Sequence, residues 1–247
     1  MPLLEVERLS KDFGGLRAIN DLSFSLEEGE LLGIMGPNGS GKSTLFNLIA
    51  GALSPSGGHI RLRGQEIAGV APHRICALGV ARTFQLVRPF PGLTALENVL
   101  VGRLYGRGRS SAAEAVAEAE RLLDLVGIAA RAHLPARQLT LMDRKRLELA
   151  RALATAPQLL LLDEFLAGLN PAETAGAMGL IRTLVAQGMT VLMVEHIVWA
   201  LMKLSRRILV LSAGEKIAEG SPEAVAADPA VLDAYLGSDP GSWIRAA

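Results

Sequence analysis

The first part of the chain alternates apolar and polar positions with the period of a β-strand. Residues 22–26 alternate cleanly, and the apolar side chains within 4–9 fall near one face. The apolar run 31–35 is typical of a buried strand, and a helix follows the glycine-rich residues 36–41. A further strand is predicted over 59–67. This part of the chain therefore predicts several short strands and one helix.

The middle of the chain has the period of a helix instead. Apolar residues recur at i, i+4, i+7, i+8 and i+11 within 115–126, which predicts one buried face. Ser111 and Glu114 form a capping box at the start of that helix. A second strong helix is predicted over 143–156. We therefore predict a mostly helical subdomain at 87–156, inserted in an α/β body.

Strands and helices alternate again in the C-terminal part. Apolar runs at 159–162 and 190–194 predict buried strands, and a helix between them begins after Asn170 and ends before Gly188. Residues 207–219 predict a hairpin. Strands that alternate with helices form a mainly parallel sheet, and functional side chains then gather at the carboxyl ends of the strands.

Composition narrows the class of protein. Of the 247 residues, 50% are hydrophobic and 20% are charged, which favours a single folded domain over 1–247 and excludes a disordered chain. The 25 basic and 25 acidic residues cancel, so the charge does not indicate a nucleic-acid-binding protein. Cys76 is the single cysteine, which favours a reducing compartment because no internal disulfide can form.

The residues between the strand 31–35 and the next helix match G-x-x-x-x-G-K-[ST], the pattern of a phosphate-binding loop. Glycines let the backbone wrap a phosphate, and the N–H groups of the helix N-terminus attract the anion. Lys42 can reach the β- and γ-phosphates, and the Ser43 hydroxyl can bind Mg²⁺. A turn that only caps a helix is the alternative, but it does not require this pattern between these flanks. The candidate nucleotide-binding residues of this loop are Gly36, Asn38, Gly39, Ser40, Gly41, Lys42, Ser43 and Thr44.

Carboxylates and a histidine follow the next two predicted strands. Asp163 follows the strand 159–162, where burial makes an unpaired carboxylate costly and a Mg²⁺-bound water provides a partner. The adjacent Glu164 can polarise an attacking water, and His196, after the strand 190–194, can donate to a γ-phosphate. The alternatives are a strand end that meets solvent and a histidine that only begins a helix.

Together these residues resemble the nucleotide-binding subunit of ABC transporters over nearly the whole chain. In that family the glutamine that matches Gln85 touches Mg²⁺ and water, and the aromatic residue that matches Phe13 stacks on adenine. The resemblance implies the ABC ATPase fold, a P-loop NTPase of the α/β class with a mainly parallel sheet, an antiparallel β subdomain and an inserted helical subdomain. It implies an ATPase that uses ATP and Mg²⁺. The implied catalytic residues are Glu164, His196 and Gln85, and the implied metal ligands are Ser43, Gln85 and Asp163.

Shorter segments resemble the ATPases of branched-chain amino acid importers. These segments are residues 94–99, 167–171, 217–220 and 234–237. The resemblance implies a subunit that energises import of branched-chain or related amino acids from the cytoplasmic face of the inner (plasma) membrane, as a peripheral protein. The implied partners are membrane permease subunits, a second ATPase subunit and, indirectly, a periplasmic or extracellular solute-binding protein; no nucleic acid is expected.

One segment departs from the family pattern. The signature motif, usually Leu-Ser-Gly-Gly-Gln, reads Leu-Thr-Leu-Met-Asp at 139–143, which we call the signature segment. Thr140 keeps a hydroxyl that can donate to a γ-phosphate, but Leu141 and Met142 replace glycines and Asp143 adds a negative charge. Either these side chains disturb ATP binding, or they point away while backbone amides still reach ATP. The first alternative leads to the hypothesis of a heterodimer, in which a related ATPase lends its intact signature to this chain's nucleotide.

Three other classes of protein share parts of this pattern. A chromosome-maintenance ATPase needs a very long coiled coil between Lys42 and Asp163, for which this chain has no room. A regulatory module that binds ATP without hydrolysing it is favoured only by the altered signature segment. Among transporters, the ATPase subunit of an envelope lipid-export system is the nearest alternative.

Overall fold

The computed structural model describes residues 2–108 and 111–236. Its strands are β1 (Leu4–Phe13), β2 (Leu16–Leu26), β3 (Leu31–Met35), β4 (Gly57–Leu62), β5 (Gln65–Glu66), β6 (Val80–Arg82), β7 (Leu159–Asp163), β8 (Thr190–Val194), β9 (Arg207–Ser212) and β10 (Glu215–Gly220). Its helices are α1 (Lys42–Ile49), α2 (Pro72–Leu78), α3 (Ala95–Tyr105), α4 (Ala112–Leu125), α5 (Leu141–Ala154), α6 (Pro171–Ala186), α7 (Val198–Leu204), α8 (Pro222–Ala226) and α9 (Pro229–Leu236). The last residue of the segment 234–237 lies outside the described residues.

The strands form one antiparallel and one mainly parallel sheet. The antiparallel sheet has the order β2-β1-β4-β5, and the six-stranded sheet has the order β10-β9-β3-β8-β7-β6. In the larger sheet β9, β3, β8, β7 and β6 run parallel, and β10 pairs antiparallel with β9. The predicted mainly parallel α/β sheet with a separate antiparallel unit is therefore confirmed.

The six-stranded sheet is buried on both faces. Successive leucines of β7 alternate between two apolar clusters: Leu160 and Leu162 pack on one side, and Leu159 and Leu161 on the other. A parallel sheet covered on both faces needs such continuous apolar strands. Each leucine removed fully from water contributes about 1.5–3 kcal/mol. This core holds β3, β7 and β8 rigidly, so their carboxyl ends are fixed relative to one another.

Three helices lie in the chain between β6 and β7 and pack on one another as a helical unit. Helix α3 contacts both α4 and α5, and α4 also contacts α5. The predicted capping box at the start of α4 is present, with Ser111 accepting from the N–H of Glu114. The subdomain limits of 87–156 stay a prediction, although the helices that they enclose are observed. Within residues 2–108 and 111–236, none of the helices combines the length and hydropathy that a membrane crossing requires.

Two local predictions differ from the structure. The single strand expected over 59–67 is divided into β4 and β5 by a turn at Arg63 and Gly64, both of which have positive φ. A positive φ breaks the extended conformation, and Gly64 adopts it without strain. Helix α5 begins at Leu141 rather than at 143, because Thr140 caps it with a hydroxyl that accepts from the N–H of Asp143 at 3.2 Å.

Candidate functional site

The glycine-rich residues 36–41 join β3 to α1 by a backbone that depends on glycine. Gly36 has φ +155°, and a Cβ there would lie 2.2 Å from the carbonyl oxygen of Leu211. Gly41 has φ +102° and precedes α1 without a side-chain cap. The first N–H groups of a helix have no partner within the helix, so this N-terminus is available to an anion. The loop therefore has the backbone that phosphate binding requires.

Lys42, the first residue of α1, directs its side chain back to this loop. Its ammonium donates to the carbonyl oxygens of Gly36 at 2.6 Å and Pro37 at 2.9 Å. Burial lowers the pKa of Lys42, and the nearby carboxylates of Glu164 and Asp163 oppose that shift. A cation partly removed from water interacts more strongly with an anion, so a phosphate is a favourable partner for this side chain.

A cleft of about 640 Å³ opens over the loop and collects most of the predicted residues. The side chains and loop residues that line it are Phe13, Leu16, Arg17, Ala18, Asn38, Gly39, Ser40, Gly41, Lys42, Ser43, Thr44, Gln85, Glu164, His196 and Ala213. Phe13 at one end of the cleft is 44% exposed, and the ammonium of Lys11 lies 5.0 Å from its ring centroid. An exposed ring of this kind can stack on a base. The sequence did not indicate Leu16, Arg17, Ala18 or Ala213, because they come from β2 and the hairpin after β9.

Three predicted residues from distant parts of the chain meet at the other end of the cleft. His196 Nε2 lies 2.8 Å from Glu164 Oε1, and Gln85 Nε2 donates to Glu164 Oε2 at 2.7 Å. The contact follows from the sheet register, because Asp163 at the end of β7 pairs with Val194 at the end of β8. Glu164 itself has φ +50°, a conformation that non-glycine residues seldom adopt outside functional or strongly constrained sites. This arrangement can hold a carboxylate against a water molecule.

Asp163 has a protein partner that the sequence did not reveal. Arg82 donates to Asp163 Oδ2 at 2.7 Å and to Asn47 Oδ1 at 2.6 Å, and both ionic side chains are largely buried. The guanidinium also lies between the rings of Phe46 and Phe84, 5.7 and 5.3 Å from their centroids. The buried carboxylate does require a partner, as its position at a strand end predicts, but Arg82 at the end of the neighbouring strand β6 supplies one.

The predicted metal ligands fit Mg²⁺ in their chemistry. Ser43, Gln85 and Asp163 offer oxygen donors, and Arg82 binds only Oδ2 of the Asp163 carboxylate. Mg²⁺ prefers oxygen ligands and is usually held by one or two protein groups together with substrate phosphates and waters. In keeping with this, the described part of the chain has no cluster of three or more His, Cys, Asp or Glu side chains arranged to hold a metal alone.

The signature segment lies elsewhere. Thr140 is exposed and does not line the cleft. The side chains of Met142 and Asp143 are buried, and Asp143 Oδ2 lies 2.8 Å from Arg131 Nε. Leu141 is 51% exposed. Two of the three unusual side chains are thus turned into the helical unit, which favours the interpretation that they point away from a nucleotide, and the negative charge of Asp143 is paired.

The comparison with known families decides between the classes. Residues 19–167 match the family model described as ABC transporter, which is more than half of the chain. The chain belongs to the ABC transporter ATP-binding family. Residues 215–240 match a second model, described as branched-chain amino acid ATP-binding cassette transporter. This ABC ATPase therefore carries both the general cassette and the C-terminal segment of that subfamily.

Curated relatives are similar over almost the full length of this ABC ATPase. It is 41% identical to the high-affinity branched-chain amino acid transport ATP-binding protein BraF of Pseudomonas aeruginosa, over 96% of this chain and 98% of that protein. It is 40% identical to LivG of Escherichia coli (strain K12), a protein of the same description, over the same shares of the two chains.

Solved structures confirm the ABC ATPase fold. The ATP-binding cassette MJ1267 in its ADP conformation matches with a TM-score of 0.86 and 30% identity, over 96% of this chain and 99% of that one. A dimeric structure of MJ0796, a bacterial ABC transporter cassette, matches with a TM-score of 0.80 and 28% identity, over 89% and 98%.

Proposed function

We propose that this chain is the ATP-hydrolysing subunit that energises an importer of branched-chain or related amino acids. The observation that carries the proposal is the single cleft in which the phosphate loop faces the cluster of Glu164, His196 and Gln85. The substrate class is supported by the match of residues 215–240 and by the descriptions of BraF and LivG.

The phosphate loop binds and orients ATP. The N–H groups at the start of α1 and the ammonium of Lys42 hold the β- and γ-phosphates. For this, Lys42 exchanges its present carbonyl partners for the more strongly attracting phosphate oxygens. Phe13 stacks on adenine at the far end of the cleft. The glycines at 36 and 41 keep the backbone close enough for these contacts.

Glu164 acts on the attacking water. Its carboxylate accepts a hydrogen bond from the water and orients it towards the γ-phosphate, while His196 holds Oε1 and Gln85 holds Oε2. Each carboxylate oxygen has a second lone pair, so the water can bind without displacing both partners. Mg²⁺, held by Ser43, Gln85 and Asp163, supplies neutralisation of the phosphate charge when it is bound. Arg82 fixes the orientation of Asp163 in either case.

A groove next to Gln85 is where we place the membrane permease. It has a volume of about 450 Å³ and lies between β6 and helices α2, α3 and α5. Phe84 and Tyr105 line the groove and are exposed, and Leu86, which directly follows Gln85, is exposed as well. Exposed apolar patches of this kind are typical of protein interfaces. A permease seated there would hold the subunit peripherally at the cytoplasmic face of the membrane, with a solute-binding protein acting only through the permease.

The second ATPase subunit completes the site in this proposal. A cassette of known structure, MJ0796, forms a dimer. In a dimer that sandwiches ATP, the phosphate loop of this chain faces the signature of its partner, and the signature segment 139–143 faces the partner's nucleotide. A homodimer and a heterodimer are both compatible with the fold: the replaced glycines of the signature segment favour a heterodimer with one slow site, whereas the burial of Met142 and Asp143 favours two equivalent sites.

Glu164→Gln tests the assignment of Glu164. The amide keeps the shape of the side chain but loses its basicity, so turnover should fall by a factor on the order of 100 or more while ATP affinity is retained. Steady-state hydrolysis and equilibrium ATP binding of the full-length protein measure the two effects. Glu120→Gln, on the exposed face of α4, is the matched control. Unchanged turnover in Glu164→Gln would overturn the proposed role.

The transported class is tested by co-purification. An amino-acid importer predicts recovery of small-solute permease subunits and stimulation of hydrolysis when the binding protein carries a branched-chain amino acid. Recovery of lipid-extraction subunits instead would establish the lipid-export alternative and overturn the importer.

A further inference from the structure

The backbone that carries Glu164 is in a conformation that needs external support. Glu164 leaves β7 with φ +50°, in the left-handed region that is unfavourable for a residue with a Cβ. Its own N–H donates to the carbonyl oxygen of Val194 at 2.9 Å, which leaves the next peptide groups to be held by other means. The N–H of Ala167 donates to the carbonyl oxygen of Glu164 at 3.1 Å, and two buried ionic side chains hold the rest of the segment 164–166, which we call the hydrolysis loop.

Lys145 binds carbonyl oxygens of the hydrolysis loop. It comes from the second turn of α5 and is only 3% exposed. Its ammonium donates to the carbonyl oxygens of Phe165 at 2.9 Å and Glu164 at 3.3 Å. Burial lowers the pKa of Lys145, and Glu195, Glu148 and Glu164 oppose that shift. A buried cation is thus placed against the very residue that activates water.

Glu195 accepts a hydrogen bond from a backbone N–H of the same loop. It directly precedes His196 and is 2% exposed. Its Oε1 accepts from the N–H of Leu166 at 2.8 Å, and among the described residues Oε2 has no hydrogen-bond partner. Lys145 interacts electrostatically with this carboxylate. The two side chains hold the peptide group between Phe165 and Leu166 from both sides, Lys145 at its carbonyl oxygen and Glu195 at its N–H.

Packing alone does not explain these two residues. Burying charged side chains generally contributes no more stability than apolar side chains of similar volume would. What a charged pair adds is direction, because charge-assisted hydrogen bonds are short and strongly oriented. Here that direction is imposed on the two peptide groups that follow Glu164.

We infer that Lys145 and Glu195 are positioning residues that hold the Glu164 carboxylate in the geometry for hydrolysis. The inference rests on the proposed role of Glu164. Lys145 also ties that geometry to α5, whose first residue is part of the signature segment. The hydrolysis loop of this chain is therefore attached mechanically to the helix that addresses the partner's nucleotide.

The test compares three substitutions at Lys145 and at a matched lysine in the full-length protein. Lys145→Met removes the donor but keeps the length of the chain, so kcat should fall by a factor on the order of 10–100 while KM for ATP changes little, as expected for a displaced reacting group. Lys145→Arg retains donors and should recover most of the lost turnover. Lys203→Met, on the exposed face of α7, should behave as the unchanged protein.

The rate of amide hydrogen exchange is a second measurement, and it does not depend on turnover. The amide of Leu166 should exchange faster in Lys145→Met and in Glu195→Met than in the unchanged protein. Glu195→Gln keeps the acceptor and should leave this amide protected. These changes should be confined to the hydrolysis loop, with the amides of β7 still protected.

The outcomes separate this inference from the proposed function. If Glu164→Gln abolishes turnover while Lys145→Met leaves kcat and Leu166 exchange unchanged, the positioning role is wrong and the function stands. A loss in Lys145→Met that Lys145→Arg does not recover, or that weakens ATP affinity equally, would also overturn the positioning role. If Glu164→Gln keeps full turnover, the proposed role of Glu164 itself fails.

Discussion

Helices α1 and α5 both begin at segments that approach ATP in the proposed function. They differ in whether the backbone N–H groups of the first turn already have a hydrogen-bond partner. Gly41 precedes α1 without a side-chain cap, which leaves the N–H groups there for a ligand. At α5, the Thr140 hydroxyl already accepts from the N–H of Asp143. An anion gains most from a helix N-terminus whose donors are not already used. The first helix is arranged to receive a phosphate, and the second is partly satisfied by its own chain.

The charged side chains in the first turns of the two helices differ as well. The first residue of α1 is Lys42, a buried cation that faces the cleft. The first turn of α5 contains Asp143, whose carboxylate provides the negative charge that a helix N-terminus attracts and is itself paired with Arg131. This difference between the two helices supports the proposed asymmetric dimer, in which this chain would supply a complete hydrolysing half-site and an altered completing half.

The largest expected effect is a loss of ATP binding on substitution of Lys42. Lys42→Met should weaken ATP binding by a factor on the order of 10–100, because it removes hydrogen bonds from a cation to the phosphates. Thr140→Ala in the same assay should bind ATP as the unchanged protein does, since Thr140 does not line the cleft. Equilibrium binding of a fluorescent ATP analogue measures both. Equal losses in the two variants would show that the helices do not differ as proposed.

A smaller effect is expected on stability at Thr140. Thr140→Ala removes the cap of α5 and should lower the free energy of unfolding by about 1 kcal/mol. Thr140→Asn restores a capping acceptor and should recover most of that loss. Urea unfolding of the three proteins provides the measurement. If Thr140→Ala unfolds at the same urea concentration as the unchanged protein, the hydroxyl is not satisfied by α5 and is available for another role.

A third effect concerns the dependence of stability on pH and distinguishes the surroundings of α5. Burial raises the pKa of Glu195 to about 7, from an ordinary value of 4.5, and it does the same for Glu148 on α5. The folded protein then binds more protons than the unfolded chain between those values, so these two groups make stability fall as pH rises from about 4.5 to about 7. The groups that face Glu195 are Lys145 and Glu164.

Glu195→Gln should remove roughly half of this contribution, because Glu148 remains. The difference between unfolding midpoints in urea at pH 5 and pH 8 measures it. Glu120→Gln, on the exposed face of α4, is the matched control and should keep the full pH dependence. A pH dependence that is the same in Glu195→Gln and in the unchanged protein would contradict the expectation.

Local sequence patterns predicted the parts of the site that depend on local geometry. The phosphate loop could be recognised because glycine, lysine and serine at fixed spacing act through one continuous turn between a strand and a helix. Glu164 and His196 could be placed at one edge because both follow short apolar strands of a parallel sheet. The segment 59–67 was predicted wrongly as one strand, since its turn at Arg63 and Gly64 lies inside a run that otherwise alternates like a strand.

Contacts between distant residues could not be predicted in the same way. Arg82 and Asp163 are 81 residues apart and meet only because β6 lies beside β7 in the sheet. Lys145 reaches the hydrolysis loop only because α5 packs against β6, the neighbour of β7 in the sheet. No periodicity or spacing signals such a pair, because the strand order that creates it is a property of the whole sheet.

The sequence by itself thus determined the chemistry of this protein: a phosphate loop, an acidic strand end and a histidine in the order of an ABC ATPase. Each of those features lies within a few residues of the end of a predicted strand, so the sequence records it directly. Only the tertiary structure decided how the acidic residues are held, with Arg82 on Asp163 and with Lys145 and Glu195 on the peptide groups after Glu164. The physical reason is that a buried charge is stable only beside a compensating group, and packing of distant elements determines which group that is.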